Sequence, residues 1–259
     1  LFFLSSMCPF CMGHWAVSLL VALLFWKKGL PWALPSVKIL GIYAGLALFV
    51  LGALGLNIRD KRSSNDRLAL NLMAQFERRP KVPEPFSPHQ IHKGTENFKD
   101  APLRLSEFSD FQCPSCLNFA EKIPHLIKRY GDKINIQYLF YPLDHHCNDK
   151  IDRPFHPLAC QASFLAHCSG DKFETVHDEI FDAQKGLTQT WIDKKAQELG
   201  VQECLDSKET HDLVKSHLDL GNKLGVSATP TLIVNGKKIP GSLPLRQLYL
   251  LFDEILKRQ

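Results

Sequence analysis

The sequence predicts an α/β domain carrying a helical insertion, preceded by two membrane-crossing helices. Three observations carry that expectation. The first 58 residues hold no Asp, Glu or Arg and only three lysines, Lys27, Lys28 and Lys38. Two uncharged stretches within them approach the ~20 residues that a helix needs to cross a bilayer core. Beyond them the hydrophobic pattern runs strand, helix, strand, helical block, hairpin, helix, which is an α/β order.

The apolar stretches run from Cys8 to Trp26 and from Ile39 to Ile58. Trp15 to Trp26 is apolar on every side except at Ser18, so no polar face is left for a helix lying on a surface. Two buried helices of a soluble protein are the alternative. A signal peptide fits poorly, because no basic region precedes the apolar run, and the missing initiator Met points to a fragment. Two consecutive spans return the chain to the side it left, so the segment before Met12 and everything after Asn57 share a compartment. The charge rule does not settle which one, because Arg59, Lys61, Arg62 and Arg67 follow the second span as the lysines flank the loop. The cysteine chemistry below assigns the loop to the cytoplasm and the rest of the chain to the outside of a bacterial cytoplasmic membrane. Past residue 58 there are 28 basic against 27 acidic residues, which excludes a basic face for nucleic acid and a highly charged disordered chain.

Residues 59–96 read as a linker. A charged stretch leads into a short amphipathic helix with Leu68, Leu72, Met73 and Phe76, and then Pro80, Pro83, Pro85 and Pro88 favour an extended spacer on which a domain swings over the membrane. Residues 97–259 form the soluble domain. Leu103 to Ser109 and Ile134 to Tyr141 are strands, with a helix from Cys113 to Tyr130 between them. Residues 156–224 are helical, broken at Gly170, Gly186, Gly200 and Gly221. Thr231 to Val234 is a strand, Asn235-Gly236 a hairpin signal, and Pro244 to Arg258 the last helix.

About 200 residues bury a real core without a disulfide framework, so the eight cysteines need individual explanations. Cys113-Pro-Ser-Cys116 lies where a strand hands over to a helix. The helix N-terminus stabilises a thiolate at Cys113, and Cys116, one turn on, reaches it to close a disulfide. Zinc is the competing use of such a pair, with His145, His146 and Cys147 as further ligands; the redox use is preferred and no metal is assigned. The companion feature is Thr229-Pro230, just before the strand Thr231 to Val234. Together Glu107-Phe-Ser-Asp-Phe-Gln-Cys113-Pro-Ser-Cys116, the helical insertion and Gly225-Val-Ser-Ala-Thr-Pro230-Thr-Leu-Ile-Val-Asn-Gly236 resemble the DsbA-like branch of the thioredoxin folds, over residues 97–259. The resemblance implies a thioredoxin-like fold, a cis Pro230 lying against the Cys113–Cys116 pair, and backbone groups at Thr229 and Pro230 that bind a substrate strand. It also matches Glu107 to the buried acid that moves protons under the disulfide. Read from the residues alone, Glu107 shares a strand face with Leu103 and Leu105, and is either that partly buried acid or a strand-end glutamate tilted into solvent.

Cys8-Pro-Phe-Cys11 opens the first apolar span, where a paired spacing reads as a redox couple. Leu-Phe-Phe-Leu-Ser-Ser-Met-Cys8-Pro-Phe-Cys11 followed by an apolar helix resembles the fourth membrane helix of the vitamin K epoxide reductase family, over residues 1–58. That resemblance implies electron transfer from Cys8–Cys11 to a quinone. The family's first three membrane helices and its loop cysteine pair have no counterpart here, so either the chain is truncated or a partner supplies them. Of the other cysteines, Cys147 follows the second strand and Cys160 opens the helical block, so a bridge between them would pin a 12-residue loop and stabilise by ~3 kcal/mol. Cys168 and Cys204 pair or remain small core residues. His167, His177, His211 and His217 read as surface or cap residues.

These expectations combine into a membrane-tethered thiol–disulfide oxidoreductase acting on substrate proteins with dithiols or disulfides. It has no covalently bound cofactor, and quinone is the electron acceptor if the membrane domain is complete. The rival activities are disulfide isomerase or reductase, with electrons flowing toward substrate, and a metal-handling maturation module.

Overall fold

The computed structural model describes residues 37–259 together with Ser18 and Leu23. Cys8, Cys11 and, those two residues apart, the expected span 8–26 lie outside the described residues. Among the described residues one segment, Tyr43–Arg78, is long and apolar enough to cross a membrane. The expected second span falls inside α1, Val37–Arg78, which continues past residue 58 through the charged stretch. Neither Gly nor Pro interrupts residues 59–78, so the change from apolar to charged sequence is not a helix end.

The chain divides into two compact units, residues 1–61 and 62–259. The second is built on a five-stranded sheet in the order β1-β3-β2-β4-β5. Its strands are β1 (Gln90–Lys93), β2 (Leu103–Ser109), β3 (Ile134–Phe140), β4 (Thr231–Val234) and β5 (Lys237–Pro240). β2 and β3 are parallel, and the other pairs are antiparallel. A parallel pair needs a crossover, supplied by α2 (Pro114–Ala120) and α3 (Ile123–Tyr130). The expected single helix from Cys113 to Tyr130 is therefore two. Pro124 has no N–H to give to the preceding turn, and the break falls at Glu121 and Lys122.

The helical insertion between β3 and β4 comprises α4 (Ala159–Cys168), α5 (Phe173–Ala183), α6 (Gln189–Leu199), α7 (Gln202–Leu205) and α8 (Lys208–Lys223); α9 (Leu245–Lys257) ends the chain. Asn235 and Gly236 both take positive φ, 47° and 75°, as the β4–β5 hairpin requires. Every residue of β3 is buried and all of β2 except Arg104, so both sheet faces are covered.

The segment expected as a free spacer is packed. Ala69, Met73 and Phe76 are buried. Val82 N–H donates to the Gly236 carbonyl at 2.8 Å, and Arg104 pairs with Glu84 at 2.9 Å. Gln137 Nε2 donates to the Pro85 carbonyl at 2.7 Å. The prolines do hold the chain extended, but they lay it along the domain and deliver it into β1, a strand that its polar, four-residue sequence concealed. Of the four histidines expected at the surface, His211 is exposed, whereas two depart from expectation. His177 and His217 are buried among Phe111, Tyr138, Phe140, Phe173 and Phe181. His89 Nε2 and His167 Nδ1 are 3.0 Å apart. Burial lowers His89 to about 3 and His217 to about 4, so neutral imidazoles serve as aromatic core residues.

Gly221 was expected to break the helical block and instead lies inside α8. A Cβ there would sit 2.7 Å from two ring carbons of Tyr141, whose hydroxyl donates to Asn222 Oδ1 at 2.8 Å and to the Val226 carbonyl at 3.0 Å. Ala in place of a helix-interior Gly normally stabilises by roughly 1 kcal/mol. Here Gly221→Ala should instead destabilise by about 1–3 kcal/mol, because the tethered ring has little room to retreat. Urea unfolding checks the sign, and a gain in stability would contradict this packing.

Candidate active site

The strand β2 ends at Ser109, and a tight turn, closed by Cys113 N–H donating to the Asp110 carbonyl at 3.1 Å, delivers Cys113 to the N-cap position of α2. Pro114 occupies the first helical position, where its missing N–H costs nothing. Cys113 and Cys116 are both free thiols; Cys113 is 7% exposed and Cys116 fully buried. One helical turn therefore separates two different environments. The hydrogen bond from Cys116 lowers the Cys113 thiol most; burial opposes it, and Thr229 with the backbone N–H groups of Cys116 and Ser115 adds to the lowering, to about 6. Burial, the hydrogen bond to Cys113 and the charge of Glu107 all push Cys116 well above the ordinary thiol range. Asp110 N–H approaches Cys116 Sγ at 3.5 Å.

The Thr229–Pro230 peptide is cis, and the Thr229 carbonyl accepts from Cys113 Sγ at 3.4 Å. The expected companion loop thus lies on the cysteine pair, brought there by β4, which pairs with β2. Pro230 itself accepts from Gly241 N–H at 2.8 Å.

Glu107 lies in the middle of β2, in register with Tyr138 of β3, and is fully buried. The solvent-facing alternative for this residue does not occur. Neither carboxylate oxygen has a hydrogen-bond partner, nor do Ser109 Oγ and Tyr138 OH. Burial pushes the carboxyl up to about 8, with the charge of Cys113 reinforcing it and Ser109 opposing. A group poised there is able to hold or release a proton near neutral pH beside Cys116.

The helical insertion holds the turn in place. Phe111 stacks on Tyr138 at 5.1 Å between ring centroids and meets Phe181 of α5 at 5.0 Å. Gln184 Nε2 donates to the carbonyls of Phe111 at 2.7 Å and Cys113 at 3.1 Å. Gln112 Oε1 accepts from Leu158 N–H at 2.7 Å. The spacing of Gln112 and Gln184 along the chain gave no signal that they meet at this turn.

Away from the pair, Cys147 is bonded to Cys160, and Cys168 to Cys204. Cys147 is therefore not available with His145 and His146 as a metal ligand. Asp144, His145 and His146 do come together, with His146 Nδ1 2.7 Å from Asp144 Oδ1, but far along the chain from Cys113 and Cys116.

A sequence model described as thioredoxin matches residues 87–254. The chain belongs to the thioredoxin family. Its relatives include disulfide bond formation protein D of Bacillus subtilis, 28% identical over 157 residues that cover 54% of this chain and 66% of that protein. A region of Na(+)/H(+) antiporter NhaA 1 of Mycolicibacterium gilvum is 28% identical over 211 residues, 78% of this chain and 31% of that one. The chain thus spans about two thirds of the length of the first relative and under a third of the second. Among solved structures, Wolbachia pipientis alpha-DsbA1 superposes with a TM-score of 0.54 over 68% of this chain and 94% of its own, at 19% identity, which speaks for the fold. This thioredoxin-family protein is a thiol–disulfide oxidoreductase.

Glu107 provides a direct test of the buried site. The folded protein keeps the Glu107 proton up to about pH 8, whereas the unfolded chain releases it near 4.5. Stability from this group is therefore complete below pH 4.5 and lost as pH rises toward 8. Glu107→Gln should remove that loss, making the variant more stable than the wild type at pH 8.5 by on the order of 2–4 kcal/mol relative to the difference at pH 4.5. Urea unfolding of the disulfide form, in which the cysteines do not titrate, measures it. Parallel pH profiles would contradict the buried carboxyl.

Proposed function

We propose that this protein oxidises dithiols of substrate proteins outside the cytoplasm, with Cys113 as the exchanging sulfur and Cys116 as its resolving partner. The observation that carries the proposal is the asymmetry of the pair: Cys113 lies beneath the Thr229–Pro230 peptide with its thiol lowered, while Cys116 is sealed in the core. A substrate thiolate attacks Cys113 Sγ of the enzyme disulfide, forming a mixed disulfide and expelling Cys116 as the leaving group. Glu107 supplies the proton that Cys116 takes up. A second substrate thiolate then attacks the substrate sulfur of the mixed disulfide and releases Cys113 as thiolate. The substrate gains one disulfide, and the enzyme pair gains two electrons. The backbone at Thr229 and Pro230 serves as the edge on which the substrate segment lies during exchange.

The same reading extends to the membrane. The apolar segment of α1, Tyr43–Arg78, supports a membrane tether, and the Cys8-Pro-Phe-Cys11 motif, on its resemblance to the fourth membrane helix of the vitamin K epoxide reductase family, is taken as a second redox pair. If the membrane domain is complete, Cys8–Cys11 as a disulfide would take two electrons from the Cys113–Cys116 dithiol, by way of the loop cysteine pair, and pass them to a quinone. The disulfides Cys147–Cys160 and Cys168–Cys204 favour an oxidising compartment for residues 62–259.

Substitution of each cysteine tests the assignment. Cys113→Ser should abolish exchange with a model disulfide, whereas Cys116→Ser should accumulate mixed disulfides visible on non-reducing gels, because the resolving thiol is gone. In membranes, Cys8→Ser with Cys11→Ser should leave exchange at Cys113 intact and stop quinone-linked turnover. Equal trapping by the Cys113 and Cys116 variants would refute the order of attack.

A further inference from the structure

The two residues between the cysteines, Pro114 and Ser115, carry no charge that could hold a thiolate. An imidazole nonetheless stands at this end of the site. His156, from the loop after β3, places Nδ1 2.9 Å from Asp110 Oδ2. Asp110 is fully buried, and its carboxylate also accepts from Gln112 N–H at Oδ1 and from Leu143 N–H at Oδ2, both at 2.6 Å. Three contacts thus hold this side chain in one orientation. The same residue touches both cysteines through its backbone: its carbonyl takes Cys113 N–H, and its N–H approaches Cys116 Sγ. Asp110 is thus the joint between the imidazole and the cysteine turn.

We propose that His156, clamped by Asp110, is a positioning residue whose positive charge stabilises the Cys113 thiolate, in the role for which the Pro-Ser dipeptide offers no group. This rests on the reading of Cys113 as the exchanging sulfur.

The groups that face the imidazole fit that role. Asp110, from the turn after β2, is in direct contact with it, and the charges of Cys113 at the start of α2 and Asp144 in the loop after β3 act on it. Burial works against charge on His156, but the hydrogen bond and charge of Asp110, with Cys113 and Asp144 adding to them, hold its pKa above the ordinary imidazole value. The ring is also fixed in orientation: Phe155 stacks on it at 4.3 Å with planes 14° apart, and His156 N–H donates to the Leu143 carbonyl at 3.2 Å. A rigid cation near a thiolate loses little to reorganisation when the sulfur changes charge. When His156 is absent, Asp110 keeps its two backbone N–H donors but loses the one positively chargeable partner beside the dithiol. The cation favours the reduced form of the pair, which makes the disulfide a stronger oxidant.

The measurement is the pH titration of thiolate absorbance at 240 nm in the full chain and in His156→Gln and His156→Arg, with Cys8→Ser, Cys11→Ser and Cys116→Ser in each background so that the signal is Cys113 while Cys147–Cys160 and Cys168–Cys204 stay bonded. His156→Gln should raise the Cys113 titration by about one pH unit or more, and His156→Arg should return it toward the wild type, since charge and not ring shape is required. A loss of packing alone would affect both variants alike, and near-UV circular dichroism identifies a variant that has lost its fold. If the wild-type Cys113 titrates low and His156→Gln superimposes on it, the role of His156 is overturned while the exchanging sulfur stands. If the wild-type Cys113 titrates at the ordinary thiol value, the reading of Cys113 falls, and the role of His156 falls with it.

Discussion

Cys113 caps a helix while Cys116, three residues later, lies fully inside the core, and most of the domain exists to keep those two environments apart. A helix N-terminus offers unpaired N–H groups to one sulfur and, one turn on, has already entered the protein interior with the other. The thiolate is favoured at the accessible end and penalised at the buried end by the same short helix. Breaking α2 and α3 apart at Glu121 and Lys122 leaves α2 only seven residues long, so its position depends on what surrounds it.

The surroundings are supplied from distant parts of the chain. β4 brings the Thr229 carbonyl to Cys113. The helical insertion covers the β2–α2 turn with Phe181 and His177 against Phe111, and pins its carbonyls with Gln184. The disulfides Cys147–Cys160 and Cys168–Cys204 tie this insertion together at both ends, one joining the loop after β3 to α4 and the other joining α4 to α7. Beneath the helix, Glu107, Ser109 and Tyr138 leave four polar atoms without partners. Such a site costs stability. A proton-moving role at Glu107 accounts for keeping it, since that carboxyl is tuned toward neutral pH by the burial that makes it costly.

How much of this was legible in the sequence follows from the range of each signal. Cys113-Pro-Ser-Cys116 between a strand and a helix, and Thr229-Pro230 before a short strand, are local patterns, and the structure places them together. Glu107 was visible as an acid on a strand, but its exposure was not, because β2 is covered on both faces and alternation then says nothing about depth. β1 escaped notice because Gln90-Ile-His-Lys lacks the apolar run of a central strand; it is recruited by pairing with β3 at the sheet edge. The prolines of residues 80–88 correctly gave extended backbone, while their attachment to the domain depends on Gln137, Gly236 and Arg104, all far along the chain. His177 and His217 were misplaced for a related reason: polar by composition, both are buried as rings among aromatic side chains. The Asp110–His156 pair, 46 residues apart, has no signature at all in one sequence.

The central claim is that the site stabilises the reduced pair through the Cys113 thiolate, and its most direct measure is the reduction potential of Cys113–Cys116 equilibrated against glutathione at pH 7. Thiol–disulfide proteins range from about −120 mV for strong oxidants to about −270 mV for reductants. The asymmetry described above requires a value toward the oxidising end, above about −200 mV. A potential at or below about −270 mV would mean that the disulfide form is the favoured one, contradicting both the thiolate and the proposed direction of electron flow.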